Sequence, residues 1–68
     1  MKKLTSREEQ IANLLVKGMS NKEIADELFI SVHTVKANLE NIYFKFEIHN
    51  RVQLAIYLVK NNYVEIPS

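Results

Sequence analysis

His33, Lys36, Ala37 and Glu40 follow one another at steps of three, one and three, the spacing that puts four side chains on a single face of a helix. Together they suit contact with the edges of bases. The Lys36 ammonium can donate to the acceptors of guanine, the Glu40 carboxylate can accept from the amino group of cytosine, and Ala37 is small enough to meet a thymine methyl. His33 sits near a helix start, where the dipole disfavours its charged form, and can touch phosphate or base. Asn21, Thr34, Asn41 and Lys45 carry side chains suited to phosphate oxygens. Plainer roles stand beside each of these. Lys36 and Glu40 are one turn apart and can pair with each other in solvent, Glu40 can act as a repulsive filter against wrong sites, and the others can be ordinary helix surface.

Such a face needs a helix held from behind. Within residues 32–46, Val32, Val35, Leu39, Ile42 and Phe46 alternate by three and four, which is the period of one buried helical stripe. Ser31 supplies the N-cap. The preceding helix, about 21–28, is announced by Ser20 and Glu23 as a capping box. Its inward stripe is Ile24, Ala25 and Leu28, with the small Ala25 where two crossing helices come closest. Phe29 and Ile30 are expected to leave that helix and feed the core. The unit is a short helix, a tight turn and a second helix with a free polar face, the arrangement that places a recognition helix in the major groove of duplex DNA.

Two further helices complete an all-α reading. Thr5 with Glu8 caps a helix of about 6–17 whose stripe is Ile11, Leu14 and Leu15, and Gly18 stands where a left-handed helix end belongs. Asn50 with Gln53 gives the same start signature for a helix of about 51–61, and Pro67 stops regular structure beyond Glu65. That last helix carries two adjacent apolar stripes, Leu54, Ala55 and Leu58 beside Val52, Ile56, Val59 and Tyr63, more than a small domain buries on one face. The second stripe is expected to meet a second copy of the chain, which suits two-fold half-sites. The alternative is that both stripes are buried within the monomer, with Tyr57 and Tyr63 at the edges. Of Tyr43 and Phe44, one is expected to complete the core and the other to lie at the interface or the DNA-side rim.

Composition narrows the class. Sixty-eight residues make one domain, residues 1–68, which buries only about 60% of its unfolded surface. Net charge is +1, weak evidence by itself for nucleic acid, so placement matters more. Lys2, Lys3, Arg7, Lys22, Lys36 and Lys45 fall in the first two thirds, while Glu8, Glu9, Glu23, Asp26 and Glu27 sit mostly in early helical turns where they complement the dipole. There is no cysteine, hence no disulfide framework, thiolate zinc site or cysteine nucleophile, and a reducing compartment suits the chain. No apolar run approaches membrane-spanning length, the start lacks a signal-peptide core, and a cytoplasmic location is expected. His33 and His49 lack a neighbouring acidic cluster on one face, so no metal or cofactor is expected, and His49 reads as an ordinary loop residue. No nucleophile, base and orienting group form a constellation and no glycine-rich phosphate loop is present, so the chain is not expected to be an enzyme.

Leu4-Thr5-x-Arg7-Glu8, Ser20-Asn21-Lys22-Glu23-Ile24-Ala25, Ser31-x-x-Thr34-Val35-Lys36 and Asn50-Arg51 occur in matching order and spacing from Leu4 to about Val59. They resemble the LuxR-type, or GerE and NarL/FixJ-type, DNA-binding domain of bacterial transcription regulators. The resemblance implies a four-helix LuxR/GerE-type helix-turn-helix domain with its third helix in the major groove and its fourth in a homodimer interface. It implies base contacts from Lys36, Ala37 and Glu40, which His33 joins, and backbone contacts from Asn21, Lys22, Thr34, Asn41 and Lys45, with Ser31 and Val32 completing the backbone set. Double-stranded DNA is the partner so implied, with RNA polymerase as a further candidate. This chain departs from the family pattern at three positions. Asn38 replaces a frequent histidine, Glu40 replaces a basic or small residue, and Glu47 stands where glycine commonly ends the third helix. A non-glycine residue in the left-handed region costs about 1–2 kcal/mol, which points to a different path at that end. Two other functions compete: a promoter-contacting module like the last region of a sigma factor, and a small helical module whose polar face binds a protein.

Overall fold

The computed structural model describes residues 3–64, and these form four helices and no strand. They are α1 (Ser6–Val16), α2 (Asn21–Leu28), α3 (Val32–Phe46) and α4 (Arg51–Lys60), within a residue of the bounds expected from the sequence. The stop expected at Pro67 lies outside the described residues.

Each helix starts on a side chain that satisfies an otherwise unpaired N–H. The Thr5 hydroxyl accepts from the Glu8 N–H at 3.1 Å while the Glu8 carboxylate accepts from the Thr5 N–H at 2.9 Å. Ser20 and Glu23 repeat this reciprocal pair at 3.1 and 2.7 Å. The Ser31 hydroxyl accepts from the Thr34 N–H at 3.0 Å, and the Asn50 carboxamide oxygen from the Val52 and Gln53 N–H groups at 2.8 and 3.1 Å.

The helix ends share one device that only the first discloses in sequence. In each, one residue turns left-handed and the next donates its N–H back five residues: Met19 to Leu14, Ile30 to Ala25, Ile48 to Tyr43 and Tyr63 to Leu58. The left-handed residues are Gly18, Phe29, Glu47 and Asn62. Glu47 therefore does not divert the end of α3, as its side chain suggested. It takes the glycine-like conformation at φ 55, ψ 44. The expectation for Phe29 is also corrected: its left-handed backbone turns the ring outward, leaving it 95% exposed, while Ile30 alone packs against the core.

The core is one cluster drawn from all four helices and the chain after α4. Ile11, Ala12 and Leu15 meet Ile24 and Ala25, Val35, Leu39 and Ile42, Leu54 and Leu58, and Val64. Phe46 packs against its edge in a ring cluster with Tyr57 and Tyr63, at centroid distances of 4.9 Å to each. Val32 opens the α3 stripe at the surface rather than in the core. Across the domain, the Lys45 ammonium reaches the Glu8 carboxylate at 2.6 Å and the Lys3 carbonyl at 2.8 Å, tying α3 to α1. Burial raises the Glu8 pKa, but the hydrogen bonds from Lys45 and Thr5 and the Lys45 charge together outweigh it and hold the carboxyl below its ordinary value.

Candidate nucleic-acid interface

α3 is divided lengthwise. Val35, Leu39 and Ile42 are fully or almost fully buried, whereas His33, Lys36, Ala37 and Glu40 are all exposed on the far side. At 100° per residue those four lie in one sector, and at about 1.5 Å per residue the row runs about 10 Å, a length that fits within the major groove. Phe44 continues the row by one turn and is 86% exposed, while Tyr43 packs against the core, so the two aromatics divide as expected. Among the described residues Lys36 and Glu40 form no ion pair, and both charged ends remain available.

The flanking positions are not equivalent. Lys22 and Asn41 are exposed, as are Ser31 and Val32 at the start of α3. Thr34 is half-buried, and its hydroxyl shares a hydrogen bond of 2.9 Å with that of Ser31. Asn21 is also half-buried, with its carboxamide oxygen accepting from Arg51 at 2.8 Å. Lys45 is half-buried, and two of its three ammonium donors are engaged, by Glu8 and by the Lys3 carbonyl.

On α4 the second apolar stripe is split. Val52 and Ile56 are 67% and 60% exposed, Val59 is half-buried against the core, and Tyr63 lies beyond the helix in the ring cluster with Phe46 and Tyr57. Tyr63 is half-buried in that cluster, so the most exposed members of the stripe are Val52 and Ile56, with Val59 at its margin.

The profile described as "Bacterial regulatory proteins, luxR family" matches residues 2–58. The chain belongs to this family. It is a LuxR-family helix-turn-helix DNA-binding regulator domain, a regulator class and not an enzyme class. Among its relatives, the transcriptional regulatory protein LiaR of Bacillus subtilis is 44% identical over 61 residues, 90% of this chain and 29% of that protein. The response regulator protein VraR of Staphylococcus aureus is 42% identical over 62 residues, 91% of this chain and 30% of that protein. The solved structure of the transcription factor GerE superposes with a TM-score of 0.88 at 31% identity, covering 98% of this chain and all of that one. The chain spans less than a third of the length of the curated relatives it matches.

Within this LuxR-family domain, Asn38 takes a defined local role: its amide donates to the Thr34 carbonyl at 2.9 Å, one turn back on the flank of α3. Glu40 shares the C-terminal half of the exposed row with a cleft lined by Tyr43, Phe44, Glu47 and His49. His49 is an exposed loop residue, as read from the sequence. Among the described residues no group of His, Asp and Glu could hold a metal ion, and no helix is long and apolar enough to cross a membrane. The Arg51–Asn21 link escaped sequence reasoning altogether, since thirty residues separate its ends.

Proposed function

We propose that the domain binds specific sites on duplex DNA with α3 in the major groove, as a dimer whose two half-sites are set by α4. One observation carries this reading: the polar row on α3 is fully available while the opposite side of the same helix is locked into the core. Lys36 donates to guanine, Glu40 accepts from cytosine, Ala37 meets a thymine methyl and His33 contacts the base edge or phosphate beside them. Asn21, Lys22, Ser31, Val32, Thr34 and Asn41 hold the backbone through side chains and first-turn N–H groups. Lys45 stands apart from that set: two of its three donors are taken by Glu8 and the Lys3 carbonyl, so any phosphate contact falls to the one that remains. Val52 and Ile56 supply the self-complementary contact, with the cytoplasm as the place of action.

Selection of bound sequences from a random duplex pool, followed by a salt titration of the best one, tests the reading. Enrichment of two-fold symmetric sites, with affinity falling linearly in log–log form against salt, is expected. A pool that emerges unenriched contradicts it.

A further inference from the structure

Arg51 stands in the first turn of α4, yet its guanidinium reaches the segment that introduces α2. One amino group donates to the Asn21 carboxamide oxygen at 2.8 Å and the other to the Met19 carbonyl. Both Arg51 and Asn21 are half-buried, so the two bonds form partly out of water. A guanidinium has five donors and no acceptor, so it can face only the oxygen of a carboxamide. The bond therefore fixes which way the Asn21 side chain is turned. With the oxygen held inward, the amide nitrogen and its two protons must point elsewhere. No described residue accepts from that nitrogen, and no buried side-chain nitrogen or oxygen in the described fold lacks a partner, so the Asn21 amide reaches solvent. Lys22, exposed, follows it immediately.

We propose that Arg51 is a positioning residue for DNA binding: it clamps the oxygen of Asn21 so that the amide N–H groups are presented to a phosphate. This rests on the proposed function and adds to it a residue that need not touch DNA. Without the clamp, the Asn21 carboxamide turns freely and can offer its oxygen to the phosphate, an acceptor facing an acceptor. With it, the donor orientation is set before DNA arrives, and the same guanidinium fixes the loop leading into α2 through Met19. A backbone contact of this kind carries no sequence information, so its loss weakens binding to every duplex alike.

Asn21→Asp separates positioning from stability. A carboxylate still accepts from Arg51, so the melting temperature holds or rises, but both amide donors are gone. The expected result is a loss of about tenfold or more in affinity, equal for selected and random duplexes, as for other hydrogen bonds to a charged group. Arg51→Lys loses the planar fork whose two separate amino groups reach Asn21 and Met19. It is expected to weaken binding in the parent and to add no further loss in the Asn21→Asp background. In the parent, the Asn21 side-chain amide resonances are expected to shift on titration with a random-sequence duplex, and to shift less in Arg51→Lys, where the carboxamide is no longer held with its nitrogen outward. A parent that binds duplex DNA while Asn21→Asp binds equally well, with unmoved amide resonances, overturns this inference alone. A parent that binds no duplex overturns the proposed function with it.

Discussion

Replacement of Lys45 by Met tests whether this lysine serves the fold rather than the DNA. Its partner Glu8 is 4% exposed, and removing one member of a buried pair costs about 3–5 kcal/mol because the other charge is left behind. The Lys45 side chain retains 24% exposure, and the Thr5 N–H still bonds the carboxylate, so solvent screening takes the cost below that range, to about 2–3 kcal/mol. For a domain of this size that is a fall of about 10–20 °C in melting temperature. Glu8→Gln keeps an acceptor for the Thr5 N–H and removes the charge, so the double variant should return to within about 1 kcal/mol of the parent. Urea denaturation of the four proteins at pH 7 measures both effects. The Glu8 pKa is lower in the folded than in the unfolded chain. Its contribution is therefore complete above the ordinary value of 4.5 and is lost as pH falls through the folded value, a loss that Glu8→Gln should not show. Additive effects, or a single-variant cost below about 0.5 kcal/mol as for an exposed pair, would refute the assignment.

Leu39→Ala opens a cavity behind the exposed row and should cost about 2–5 kcal/mol, a large share of the roughly 3–10 kcal/mol available to a chain of this length, visible as a collapse of the melting transition. Phe29→Gly should stabilise the domain. The left-handed backbone costs an L-residue about 1–2 kcal/mol, the exposed ring has little packing to lose, and the extra freedom of unfolded glycine offsets about half of the gain, so urea midpoints should rise by an equivalent of about 0.5–1 kcal/mol. Ile56→Glu places a charge on the outward stripe of α4 and should weaken self-association without unfolding the monomer. An unchanged mass distribution in sedimentation would argue against that face.

Features that act within one turn were legible in the sequence. Thr5 with Glu8 and Ser20 with Glu23 set helix starts because each partner is only three residues away, and the stripe of Val35, Leu39 and Ile42 follows from helical period alone. Helix ends were less legible, because Phe29, Glu47 and Asn62 adopt a conformation that glycine normally advertises, and tertiary packing overrides that local preference. Phe29 is the clearest case: its hydrophobicity suggests the core, but the left-handed turn aims it outward. The exposed row of His33, Lys36, Ala37 and Glu40 was found because it is the complement of a clear stripe. The pairing of Lys45 with Glu8 and of Arg51 with Asn21 spans 37 and 30 residues, and nothing in residue type distinguishes an internal clamp from a phosphate ligand.

Recognition of bases by the free side of α3 underlies the proposed function. Lys36→Ala, titrated at fixed salt against the selected site and against a random duplex, tests it most directly. A loss of about 1–3 kcal/mol on the selected site is expected, with relaxed preference at one base position and a much smaller loss on the random duplex. Equal affinity of variant and parent for the selected site would contradict it.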